Sequence, residues 1–201
     1  MQGWGRKWVI AMLCVLPMIA GCRVILVDES KEKSEVEQVV QMHGEALKLD
    51  ATVQLFKKSL LLRGETTLPK GAVVGVQLKP YPDDATSLQI IRNAIEPLNT
   101  VASSGTVRVK KDGTIESITI PRPDENKRYR LEIFIDPRKQ DENVQEALGP
   151  HGENLSNSDG NVSITEKSQD NTFLKKYANI MKREEPDGFM AKINLVALDE
   201  Q

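Results

Sequence analysis

Cysteine is nearly absent from this chain: of 201 residues only Cys14 and Cys22 are cysteines, and both lie close to the start. No disulfide framework therefore staples the rest, and stability has to come from a buried core. Histidine is equally scarce. His43 and His151 stand far apart in sequence, and without cysteines nearby they do not form the short-spaced ligand set that a zinc site draws on, so neither a metal nor a cofactor is expected. Aromatic residues make up 4% of the chain, and both tryptophans, Trp4 and Trp8, fall in the opening segment, which leaves an aliphatic core and excludes a Cys-Trp-Cys sandwich centre. Charge of one sign is lacking too: 27 basic against 29 acidic residues give a net charge of −2, which argues against a nucleic-acid partner. No Gly-x-Ser-x-Gly elbow, phosphate loop or dinucleotide fingerprint occurs, and among the many serines and acids no Ser, His and Asp set stands out. Long apolar runs are missing as well. The longest, Trp8 to Ala20, is shorter than the roughly 20 residues that span a bilayer.

What that run does have is context. Basic Arg6 and Lys7 precede it and small residues follow, the order of a secretory signal. The tetrad Ile19-Ala20-Gly21-Cys22 resembles the lipobox of bacterial lipoproteins, with Ile19 standing where Leu is commoner. The chemistry fits the pattern: a branched apolar residue fills the peptidase pocket, two small ones let the backbone approach, and the cysteine thiolate accepts the lipid. Residues 1–21 thus read as a signal peptide, and Cys22 as the lipidated N-terminus of the mature protein. Pro17 and the short run speak against an uncleaved membrane helix. Cleavage removes Cys14, Arg6 and Lys7, so the mature chain has no disulfide and is more acidic than the precursor. Its expected address is the outer side of the cytoplasmic membrane, with the membrane as a partner through the lipid on Cys22.

Residues 22–46 are charged and poor in aromatics, with DESKEKSEVEQ at their centre, and read as a tether; Val36, Val39, Val40 and Met42 allow at most a short helix there. From 47 to 201 the texture changes to period-two alternation. The apolar run from Ala51 to Leu62 and the strand Val73–Leu78 flank a Leu68-Pro69-Lys70-Gly71 turn and read as a hairpin. Residues 86–98 carry helical spacing and a Thr86/Gln89 capping box, yet Ile90-Ile91 and the surrounding strands tip the reading to β. Gly105–Val109 and Thr114–Ile120 around Asp112-Gly113 give the clearest hairpin signal. Arg128–Ile135 alternates with Tyr129, Leu131 and Ile133 on one face. Val144, Ala147 and Leu148 fit a helical turn or two closed by Gly149-Pro150. Val162–Thr165 is a weak strand, Phe173–Met181 is open between helix and strand, and Phe189–Val196 reads as a final strand. Six or seven short strands without helices alternating between them predict a mainly β fold: an immunoglobulin-like antiparallel β-sandwich with one or two short helices, preceded by signal peptide and tether. Val74, Val76, Leu78, Leu131, Ile133 and Ile193 are expected in its core.

Two constellations invite a chemical reading. Asn157, Asp159, Gly160 and Glu166 fall at positions three, five, six and twelve of an EF-hand loop, but Leu155 occupies the first position, where a carboxylate is required, and the flanks are strand-like; a polar turn with Gly160 at positive φ is expected instead. Arg122-Pro123-Asp124 with Lys127, Arg128 and Arg130 form a candidate anionic-ligand patch, although alternation also makes Arg128 and Arg130 the solvated side of a strand. The segments Gly64–Leu78, Arg128–Glu132 and Gln140–Val144, with Gly149, Gly152, Glu153, Asn154 and Leu155, resemble an uncharacterised family of cell-envelope lipoproteins from Gram-positive spore-forming bacteria, over about two-thirds of the mature chain. That resemblance implies no catalytic residue. The expected function is a non-catalytic binding or structural module of the envelope, with an envelope protein or wall polymer as partner; an envelope enzyme or an accessory subunit of a transporter is the alternative.

Overall fold

The computed structural model of the chain describes residues 46–197. The expected signal peptide, Ile19, Ala20, Gly21, Cys22, the expected tether up to residue 45, including the stretch that allows a short helix, and His43 lie outside the described residues.

The apolar run after Lys48 folds as two strands. In β1 (Leu49–Leu55) Leu49, Ala51, Val53 and Leu55 are buried, and in β2 (Ser59–Thr66) Leu60 and Leu62 are. Lys57 and Lys58 interrupt the run, and the chain reverses there, with the Phe56 N–H donating to the Ser59 carbonyl at 2.8 Å. The hairpin is therefore β1 with β2, in register Leu55↔Leu60. Val73–Leu78, expected to pair with the preceding run, belongs to β3 (Val73–Pro80) in the opposite sheet. The turn through Gly71 (φ 89°) carries the chain across the sandwich instead of back along the same sheet.

Among the described residues ten strands make two antiparallel sheets, a mainly β sandwich. One sheet runs β5 (Thr114–Pro121), β2, β1, β9 (Lys192–Asn194). The other runs β10 (Val196–Ala197), β8 (Gln169–Ile180), β6 (Tyr129–Ile135), β3, β4 (Ser103–Arg108), with β7 (Asn161–Glu166) also on β8. Because side chains alternate along each strand, the facing sets meet in one aliphatic core: Val53, Leu55, Leu60, Leu62 and Ile120 against Val74, Val76, Leu78, Leu131, Ile133, Leu174 and Ile180. Five of the six expected core residues are buried, and Ile193 packs against the core partly exposed.

Chain crossings close both sides of the sandwich. The Asp112-Gly113 turn does not make a hairpin within one sheet. β4 pairs with β3, β5 pairs with β2, and beside the turn one isolated bridge, Val109↔Ile115, joins the two sheets. Gly105 lets β4 lie close against β5, since a Cβ there would come within 2.6 Å of Ile118 Cδ1 unless that side chain moved. On the other side the expected single strand at the end splits in two. β9 pairs with β1 and β10 with β8, while buried Leu195 between them donates its N–H to the Ala51 carbonyl at 2.9 Å.

The 86–98 segment is a helix at its start, not a strand. Thr86 caps α1 (Ser87–Ile91), with the Gln89 N–H on its hydroxyl and the Gln89 side chain back on its N–H, and this reciprocal satisfaction of end groups outweighs the β preference of Ile90-Ile91. α2 (Glu142–Leu148) buries Val144, Ala147 and Leu148 as expected, and Phe173–Met181 resolves as part of β8. Among the described residues no helix is long and apolar enough to cross a membrane.

Candidate functional site

Of the basic residues singled out from sequence, Arg130 stands in β6 on the side opposite core residues Leu131 and Ile133, where alternation alone would send it to water. Arg130 is instead 1% exposed. The segment leaving β3 folds back over it: the guanidinium lies between the rings of Tyr81 (5.6 Å) and Tyr177 (4.8 Å), donates from Nε to the Tyr81 hydroxyl at 3.0 Å, and meets Glu96 at 2.5 Å. Tyr81 in turn donates to Asn179 Oδ1 at 2.7 Å. Burial pushes the Tyr81 hydroxyl up to about 12, against the opposing pull of the Arg130 charge. One residue pair along, buried Glu132 receives Lys79 at 2.9 Å and Lys175 at 3.1 Å. Burial would raise its carboxyl, but the two ammonium groups outweigh that and hold it below the usual carboxylate range.

The rest of the expected patch is dispersed. Arg128 grips Glu185 through two nitrogens and donates to the Ala85 carbonyl at 2.7 Å; Lys127 pairs with Asp83 at 3.1 Å. Arg122, also 1% exposed, gathers the carbonyls of Met181 (2.5 Å), Gly188 (2.8 Å) and Glu125 (3.1 Å), tying three connecting segments together. Lys127, Arg128 and Arg130 thus do not converge on one open surface. Arg128 and Arg130 are spent on holding the chain, and Lys127 on an exposed ion pair. Nor do the EF-hand positions come together: Asp159 pairs with Lys176 at 2.8 Å, whereas Glu166 lies at the far end of β7 and pairs with Arg138 at 2.9 Å. Gly160 does adopt positive φ (86°) in a polar turn. His151 meets Asn171 Oδ1 through Nδ1 at 3.1 Å. Among the described residues no group of three or more His, Cys, Asp or Glu gathers as a metal site.

The surface that does gather unpaired groups is the outer face of the other sheet. Opposed residues share a face, so the register puts Asn194, Thr52 and Arg63 in one row and Asp50 with Glu65 in the next. A bulge sharpens the face into a groove: between Leu62↔Ile118 and Gly64↔Ile115 the β5 strand carries one extra residue, which bends it away. Gly64 is required there, because a Cβ would sit 2.5 Å from the Asp50 carbonyl oxygen. The resulting groove, about 710 Å³ and open to solvent, is lined by Arg63, Lys110 and Lys192, by the hydroxyls of Thr52, Thr114 and Ser117, by the Asn194 amide, and by Asp50 and Glu65. Asp50 is 3.6 Å from Lys176, while no ion pair among the described residues engages Arg63, Lys110 or Lys192.

No family model, curated protein or solved structure matches this chain. The groove is read from its own chemistry. Three cations that no ion pair among the described residues engages, beside hydroxyl and amide groups, suit a ligand that carries anions and hydroxyls together, and no aromatic ring among the described residues lines the groove to offer the stacking on which neutral sugars rely. Sequence reading passed over these residues because each is a polar position in an alternating strand. Only the register and the bulge make neighbours of them.

Proposed function

We propose that the chain is a lipoprotein anchored through Cys22 on the outer side of the cytoplasmic membrane, and that its sandwich is a non-catalytic module binding an anionic, hydroxyl-rich polymer of the envelope in the groove of the β5-β2-β1-β9 sheet. The anchor rests on the Ile19-Ala20-Gly21-Cys22 tetrad behind a basic flank and an apolar run. The binding reading is carried by one observation: Arg63, Lys110 and Lys192 border the same open groove and no ion pair among the described residues engages them, while Arg128, Arg130 and Lys127 are each ion-paired within the chain. An open groove supports a module that grips a chain over an enzyme that must exclude water.

Both halves are testable. Wild-type chain expressed with labelled fatty acid is expected to take up label at Cys22, and Cys22→Ala to take up none; label in the mutant overturns the anchor. Poly(glycerol phosphate) is the probe for the groove. Binding is expected to weaken steeply with salt and to fall several-fold in Arg63→Ala and in Lys192→Ala, with Lys127→Ala unchanged. Equal binding by all three variants would remove the groove from the reading.

A further inference from the structure

Among the described residues no strand pairs with the outer edge of β7, and the phase of that edge can be worked out residue by residue. The strand joins β8 through a two-residue turn in which Lys167 and Ser168 both have positive φ (51° and 67°), the mirror-image turn that suits a tight hairpin. In such a hairpin the flanking residues, Glu166 and Gln169, exchange both backbone bonds, and alternation then directs the N–H and C=O of Ile164 and Val162 toward β8 and those of Thr165 and Ser163 away from it. Two bonds fix this phase. Lys175 donates to the Gly160 carbonyl at 2.7 Å, on the bonded series, and Thr172, opposite Ser163, donates away from β7 to the His151 carbonyl at 2.7 Å.

The other edges are managed. β4 and β5 run into one another at the Gly113 corner, and β9 and β10 are only three and two residues long. β7 has six residues, no proline and no lysine, and is exposed from Ser163 to Glu166, so it lacks the devices that usually blunt an edge.

We propose that this edge pairs antiparallel with the β7 edge of a second copy of the chain, about a two-fold axis at Ile164. A two-fold axis normal to the sheet keeps every residue on its own face, so opposed residues must share parity and the axis must fall on a residue. Centred on Ile164, the pairing sets Ser163 opposite Thr165 of the second copy, and the outward N–H and C=O of both residues are then reciprocally bonded. Centred on Ser163, it would require the Asn161 N–H, which already donates to the Ser158 carbonyl at 3.2 Å. The side chains agree with the first register. Ile164, 47% exposed, meets its own copy, Ser163 and Thr165, whose hydroxyls bond Thr172 and Asp170 of β8, stand opposite one another, and Glu166, held by Arg138, opposes Val162, so no like charges meet. A six-residue edge buries less than the roughly 1,200 Å² of a stable complex, which makes this a weak dimer favoured by crowding on a surface.

Disulfide trapping tests it on the full chain in the membranes of expressing cells. Residues opposed at a non-bonded antiparallel pair have Cα atoms about 4.5 Å apart, within disulfide reach, whereas Ser163 and its own copy would be roughly 8 Å apart. Mild oxidation is therefore expected to give a dimer band with Ile164→Cys and none with Ser163→Cys or with wild type, which controls for Cys14 and Cys22. Thr165→Pro removes an outward N–H that β8 does not use, and added to Ile164→Cys it is expected to abolish the band while leaving the melting temperature near that of wild type. No band with Ile164→Cys, an equal band with Ser163→Cys, or a band that survives Thr165→Pro would each overturn the proposal.

Discussion

A guanidinium buried at Arg130 and a carboxylate buried at Glu132 are tolerable only because each is surrounded by the groups that neutralise it, and the same neutralisation makes their roles measurable. Glu132 has a folded pKa depressed below the ordinary carboxylate range, so the stability it contributes is present above that range and is lost as pH falls through the folded value. Glu132→Gln is expected to melt below wild type at neutral pH, and the gap to close under acid as the wild-type carboxyl protonates; calorimetry at a series of pH values checks this. Tyr81 moves the other way. Its raised pKa favours the neutral hydroxyl, so its contribution is whole below about 10 and fades as pH climbs toward about 12. Tyrosinate absorbance of the folded protein should accordingly appear at higher pH than that of the chain in denaturant. In the core between the sheets, Leu131→Ala should cost about 2–5 kcal/mol, read from denaturant unfolding; an unchanged midpoint would remove Leu131 from the core.

At the scale of elements, α1 depends on a cap more than on burial, since Ile90 is the one buried residue it supplies. Thr86→Ala should cost about 1 kcal/mol and speed amide exchange at Gln89 before it does so anywhere in the sandwich. This helix also marks where the sequence was hard to read. Period-two alternation revealed the cores of β1, β3 and β6 because burial on one face imposes it. It could not say which sheet a strand joins: Asp112-Gly113 offers the same turn chemistry whether its flanking strands pair or part, and here β4 pairs with β3 while β5 pairs with β2. Arg130 was misread for a related reason. Its cover, Tyr81 and Glu96, lies 49 and 34 positions away along the chain, beyond any local pattern. The groove was invisible on the same ground, being assembled from β1, β2, β5 and β9. Gly105→Val is expected to lower stability by about 1–3 kcal/mol through overpacking against Ile118.

For the molecule as a whole, the crossing at Leu195 sets an order of events. The first hairpin, β1 with β2, can form as soon as its residues exist, yet β1 waits for Lys192–Asn194 and β8 for Val196–Ala197 to cover their remaining edges. In a chain delivered N-terminus first, both sheets therefore stay unfinished until the last of these residues arrives, and a fold built on such distant pairings assembles slowly. Throughout that interval two strand edges are open to any neighbouring polypeptide. The short C-terminal strands thus act as a fastener closed last, and a ribosome that stops before Lys192 would release a chain whose fate is aggregation or proteolysis instead of a slightly weakened sandwich.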